Sequence, residues 1–192
     1  SVNILNDYYD FRHGVDGPDS PTAIYRRHPL VTGMVSPSFA RDLGFSLIIA
    51  GSLLGVYLTV MEGYLILVFG LIGVFLIYAY TGPPFTLKYR GLGEVSVALT
   101  FGPLLVGGFF VAASGGSLTP SVFLVLLPPL LIMLAVIYGN NYRDREYDAR
   151  AGIRTLAMVT ARYGHWIYLG SLIMAYATNI ALVITGLLPY TS

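Results

Sequence analysis

Two short polar stretches hold side chains that could bind a metal. The first is Asn6-Asp7-Tyr8-Tyr9-Asp10. The second is Asn140-Asn141-Tyr142-Arg143-Asp144, with Asp148 one helical turn further on. On a helix, residues i and i+4 share a face. Asn6 and Asp10 therefore make one line of oxygen ligands, and Asn140, Asp144 and Asp148 make another. Mg²⁺ prefers hard oxygen ligands and is commonly held by one or two carboxylates together with water and substrate phosphates. The four carboxylates of these stretches, Asp7, Asp10, Asp144 and Asp148, would repel strongly if empty, and a pair of Mg²⁺ ions carrying a diphosphate would neutralise them. The plainer reading makes these residues helix caps and solvated loop charges. It suffices for a single Asp but leaves two matched motifs unexplained.

Diphosphate also calls for cations. Lys88 and Arg90 stand in a loop, 80–94, whose Pro83, Pro84, Gly82, Gly91 and Gly93 direct the chain back on itself. Arg26, Arg27 and Arg143 are further candidates, because Arg grips phosphate with a bidentate fork whereas Lys acts as a point charge. Arg41, Arg154 and Arg162 read as membrane-interface anchors, and Arg12, Arg90, Arg145 and Arg150 stay open between the two roles. Tyr8, Tyr9, Tyr78, Tyr80, Tyr89 and Tyr142 cluster near the motifs, where an aromatic wall could stabilise a developing carbocation. His13, His28 and His165 lack metal-ligand spacing and read as loop and interface residues. With no Cys in the chain, disulfides and thiolate chemistry are excluded.

The residues that position these groups are mostly apolar. The chain is 55% hydrophobic and 11% charged, with mean hydropathy +0.69, whereas a soluble domain carries about 25% charged residues. Five segments reach the length of about 20 apolar residues that a spanning helix needs: 43–61, 64–82, 94–113, 121–139 and 166–188. The expected fold is all-α, a polytopic transmembrane bundle of five spans plus part of another, forming a single domain over 1–192. The stretch 1–12 reads as the end of a sixth helix whose body would precede Ser1. Pro103 and the pair Pro128-Pro129 read as kinks inside spans. Gly70, Gly73, Gly107 and Gly108 read as points of close helix approach.

If the five spans alternate, all 11 Lys and Arg fall in connections on one side, and Glu62 is the acid on the other. The positive-inside rule makes the charged side cytoplasmic. Both motifs lie on that side, with an even number of spans between them, so they can meet. No nucleic-acid signature is present.

In combination these motifs resemble the UbiA superfamily of intramembrane prenyltransferases, which has two Asp-rich motifs on cytoplasmic loops separated by four helices. The matching residues run Asn6-Asp7-Tyr8-Tyr9-Asp10-Phe11-Arg12-His13-Gly14-Val15-Asp16 and Asn140 through Asp148, followed by Ala151-Gly152-Ile153-Arg154-Thr155-Leu156-Ala157. Between them, Leu87-Lys88-Tyr89-Arg90-Gly91-Leu92-Gly93-Glu94 resembles the central loop of the dihydroxynaphthoate (menaquinone-pathway) branch. The resemblance implies a nine-helix bundle in the intact protein, two Mg²⁺ ions and a prenyl diphosphate donor. It maps metal ligation onto Asn6, Asp10, Asp144 and Asp148, and diphosphate binding onto Arg27, Lys88 and Asn140, which Arg143 joins as a candidate. Asp10, Asp144 and Lys88 would carry catalysis. Asp16, Tyr89, Tyr142 and Glu94 are expected on the acceptor side or in support, with Glu94 and Asp16 as candidate bases. The 4-hydroxybenzoate branch would place an acid four residues after Asp10, where this chain has Gly14, and this favours the naphthoate-like branch.

The implied activity is Mg²⁺-dependent transfer of a polyprenyl group to an aromatic acceptor inside a prokaryotic plasma membrane, in quinone biosynthesis. Other acceptors, 4-hydroxybenzoate or geranylgeranylglyceryl phosphate, stay open. Three other classes compete. A secondary transporter would carry its acids near the bilayer midplane. A CDP-alcohol phosphotransferase would gather its Asp residues into one continuous motif. A structural scaffold would not need two matched motifs.

Overall fold

The computed structural model describes residues 1–25 and 27–190. They form an all-helical bundle: α1 (Val2–Arg12), α2 (Pro21–Tyr25), α3 (Pro37–Glu62), α4 (Tyr64–Thr81), α5 (Gly93–Leu99), α6 (Leu105–Ala113), α7 (Ser121–Val125), α8 (Leu127–Arg150), α9 (Leu156–Val159) and α10 (Gly164–Ile184). Short 3₁₀ turns at Leu87–Tyr89 and Ala161–Tyr163 complete it. Five stretches are long and apolar enough to cross a membrane: Pro37–Glu62, Tyr64–Thr81, Gly93–Ala113, Ser121–Arg150 and Ala161–Ile184. Their apolar side chains largely face outward; Val60 is 80% exposed and Ile184 77%. A water-soluble bundle would bury such residues, whereas lipid accepts them and requires only that the backbone satisfy itself, as a helix does.

The boundaries depart from hydropathy where capping chemistry acts. Helix α3 starts at Pro37, ahead of the expected 43, because Ser36 Oγ accepts from Phe39 N at 3.2 Å and Pro37 opens the first turn. Helix α10 stops at Ile184, short of 188, where Gly186 takes φ +74°. The third span is interrupted by a π-helical segment, Thr100–Leu104, which contains Pro103. The missing Pro N–H forces wider pairing there. Pro128-Pro129 occupies the first turn of α8, just after the helical path of the span Ser121–Arg150 breaks at Leu126. Of the glycines read as packing points, Gly107 sits against Phe69, where an added Cβ would lie 2.9 Å from the ring, whereas Gly70 and Gly73 face open space.

Helix α10 packs on α8, α3 on α4, and α1 on both α3 and α4. Leu5 of α1 is 1% exposed against Gly44 of α3. At its C-terminus α1 reverses through Gly14 at φ +73°, and the Val15 and Asp16 N–H groups return to Asp10 O at 2.8 and 3.2 Å. A left-handed residue at this position closes the helix and brings Asp16 back beside Asp10.

Candidate active site

The first motif lies on α1 and the second on the last turns of α8, and both face one polar cavity of about 110 Å³. Asp10, Asp16, Lys88, Glu94, Asp144 and Asp148 line it, together with Tyr80, Asn141, Tyr147 and Thr155. Asp10 is 3% exposed, and both of its carboxylate oxygens are engaged. Lys88 Nζ donates to Oδ2 at 2.5 Å and to Asn6 Oδ1 at 3.2 Å, and Tyr89 OH donates to Asp10 Oδ1 at 2.6 Å. The loop 82–92 presents both donors. It turns back through Thr86 and Gly91, and an added Cβ on Gly93 would lie 3.3 Å from Lys88 Cα. Burial works against the Lys88 ammonium, but Asp10, together with Tyr80 and Asp16, outweighs it and raises the pKa. Burial and then Asp10 push the Tyr89 hydroxyl well up, so it stays a proton donor. Burial and Asp10 also raise Asp16, against the pull of His28 and Lys88.

On α8 the column expected at 140, 144 and 148 divides between two environments. Asp144 and Asp148 face the cavity. Asn140 is exposed one turn earlier and lines an adjoining apolar groove of about 440 Å³, with Ile77, Phe101, Met133 and Ile137. Tyr80 lines both spaces. Asn141, a residue the column omits, faces the cavity and donates to Glu94 Oε1 at 2.8 Å. Its signal was present: 141, 144 and 148 follow the i, i+3, i+7 stripe of a single helix face. Arg143 forks onto its neighbour, with Nε and Nη2 each 2.7 Å from an Asp144 oxygen.

Other candidates fall elsewhere. Arg27 is exposed and is not among the residues lining the cavity; Arg26 lies outside the described residues. Tyr142 turns from the cavity towards α10, stacks at 6.3 Å on Tyr138, and carries the Arg145 guanidinium 4.5 Å over its ring. Glu94 is 2% exposed, and its Oε1 accepts from Asn141 and from Leu156 N at 2.9 Å. His28 is no solvated loop residue: it is fully buried, with Nε2 3.1 Å from Asp16 Oδ2 and 3.8 Å from Asp7 Oδ2. Its packing depends on the fold of the 13–36 loop, which spacing alone does not encode. Tyr147 OH ties α8 to that loop by donating to Val15 O at 2.6 Å.

The donor set is therefore acid-rich and all-oxygen, with one half-buried lysine among it, and this composition fits a hard divalent cation together with an anionic ligand. Beside it runs an apolar channel suited to a hydrocarbon chain.

The chain is 29% identical over 188 residues to "1,4-dihydroxy-2-naphthoate octaprenyltransferase" of Bacillus subtilis (strain 168), covering 97% of this chain and 59% of that protein. It is 35% identical over 162 residues to "UbiA prenyltransferase domain-containing protein 1" of Gallus gallus, covering 82% of this chain and 46% of the relative. Against the protein of the same name in Dictyostelium discoideum it is 30% identical over 180 residues, 91% of this chain and 53% of the relative. The chain thus spans about half the length of the curated relatives it matches. No solved structure gives a significant match. The family model for the UbiA prenyltransferase family matches residues 1–192, and by that match the chain belongs to the UbiA prenyltransferase family.

Proposed function

We propose that the intact protein transfers a polyprenyl group from a prenyl diphosphate to an aromatic acceptor of the dihydroxynaphthoate type, within the membrane and with Mg²⁺, as a step in quinone biosynthesis. The observation that carries this reading is the shared cavity. Lys88 grips Asp10 there, opposite Asp144 and Asp148, and Tyr80 connects it to an apolar groove. The relative named for naphthoate prenylation supports the acceptor class. Placement of the cavity at the cytoplasmic boundary rests on the one-sided distribution of Lys and Arg.

Asn6, Asp10, Asp144 and Asp148 would hold the metal. When bound, Mg²⁺ neutralises the diphosphate charge that grows as the donor's allylic C–O bond breaks. Lys88 adds a fixed positive charge beside the departing oxygens, aimed where charge develops. The electron pair of the broken bond leaves on diphosphate. The apolar groove keeps water from the allylic carbon, and Tyr80 stands at the junction where a cationic carbon would pass. Carbon–carbon bond formation follows at the ring. With a naphthoate acceptor the ring carboxylate departs as CO₂ and its bond pair restores aromaticity; with an unsubstituted ring carbon a proton departs instead.

Incubating the full-length enzyme with one prenyl diphosphate and a panel of aromatic and glycerol acceptors, and identifying the products by mass, tests the reading. A prenylated, decarboxylated naphthoate product is expected. Products from glycerol phosphate alone, or none from any acceptor, would reject it.

A further inference from the structure

We propose that Glu94 is a positioning residue which fixes the second Asp motif relative to the first, and that it does not act as the base of the reaction. The inference rests on the proposed reaction. Its observation is the seven-residue stretch from Lys88 to Glu94, which holds both motifs at once. At one end Lys88 donates to Asn6 and Asp10, and Tyr89 donates to Asp10. At the other end the buried Glu94 accepts from Asn141 on α8 and from the Leu156 N–H at the start of α9. Between the ends there is little slack. A Cβ on Gly93 would come within 3.3 Å of Lys88 Cα, and Arg154 N donates to Tyr89 O at 3.4 Å, pairing the central loop with the segment that follows α8. The second motif is thereby registered against the first through one short stretch of backbone.

In the reaction proposed for a naphthoate acceptor the ring carboxylate leaves as CO₂, so no ring proton needs a base, and Glu94 Oε1 is already held by two donors on two elements. Asn141 lies one turn before Asp144, so releasing its amide frees that part of α8 to rotate and moves Asp144. A displacement of about 1 Å at a catalytic group costs roughly 10²-fold in rate.

The test compares Glu94→Gln, Glu94→Leu and Asn141→Leu in the full-length enzyme in detergent. It reads kcat and KM together with Mn²⁺ affinity by electron paramagnetic resonance. Gln keeps an acceptor oxygen for both donors, so Glu94→Gln should stay within about threefold of wild type, a loss well below that of a full misplacement. Glu94→Leu should lower kcat by roughly 10²-fold and weaken Mn²⁺ binding, and adding Asn141→Leu to it should cost no more, because the two side chains form one contact. A Glu94→Gln enzyme as inactive as Glu94→Leu, with Mn²⁺ affinity intact, would overturn the proposal in favour of proton transfer. If Glu94→Leu does not fold, Asn141→Leu alone decides: weakened Mn²⁺ binding supports positioning, and unchanged binding rejects it. If wild type transfers no prenyl group, the proposed reaction fails, while the Mn²⁺ comparison still decides the role of Glu94.

Discussion

Lys88 and Asp10, which stand 78 positions apart, are joined through Nζ and Oδ2 at 2.5 Å, with the Asp10 side chain 4% and the Lys88 side chain 23% exposed. This pair closes the loop 82–92 onto α1 and sets a positive charge at the mouth of an acid-lined cavity. Without it, Asp10 would be a nearly buried carboxylate held by Tyr89 alone.

Lys88→Met should therefore affect both fold and chemistry. Breaking a buried pair by removing one member costs about 3–5 kcal/mol, and the partial exposure of Lys88 reduces this to about 2 kcal/mol. The thermal midpoint in metal-free detergent solution should fall, and added Mg²⁺ should recover part of it by supplying Asp10 with another cation. Transfer should drop by roughly 10²- to 10³-fold, as when one stabilising group is removed from a developing anion.

Tyr89→Phe removes the second donor to Asp10. Hydrogen bonds to charged groups contribute about 1.5–3 kcal/mol, so stability should fall by an amount in that range. Because Tyr89 and Lys88 share Asp10, their double variant should not be additive. Chemical denaturation of the four proteins of the cycle checks this, and strict additivity would mean that the two contacts are independent.

Gly14→Ala places a Cβ at φ +73°, at a cost of about 1–2 kcal/mol. Nothing stands within 4 Å to clash with the new methyl, so the effect is one of backbone conformation. Asp16, which returns to Asp10 through this turn, should be displaced, and the activity loss should exceed what the stability loss alone explains. Parallel melting and turnover measurements separate the two.

Removal of divalent metal by chelator should abolish transfer, and Mg²⁺ should restore it. Transfer that continues in excess chelator would remove metal from the account.

Much of this was legible in the sequence because the relevant signals are local. Apolar runs disclose spans whatever packs against them, and the i, i+4 spacing of Asn6 with Asp10 and of Asp144 with Asp148 discloses a shared face. Details set by side-chain direction were not legible. Asn140 and Asn141 are adjacent in sequence, yet one faces the apolar groove and the other the cavity, because the rotation of α8 is fixed by its packing on α10 and by Glu94. Tyr142 sits inside the motif but turns to α10, where an added Cβ on Gly164 would run into its ring. His28 looked like a loop residue, and its burial against Asp16 comes from the path of a whole connection.

The most direct measurement is a double-mutant cycle of Asp10→Asn and Asp144→Asn on kcat/KM for prenyl diphosphate in the full-length enzyme. If both carboxylates serve one metal–diphosphate centre, each single variant loses roughly 10²-fold or more and the double variant is scarcely worse than either, as for residues that act as a unit. Losses that multiply, or an Asp144→Asn enzyme of wild-type activity, would contradict a shared centre built from α1 and α8.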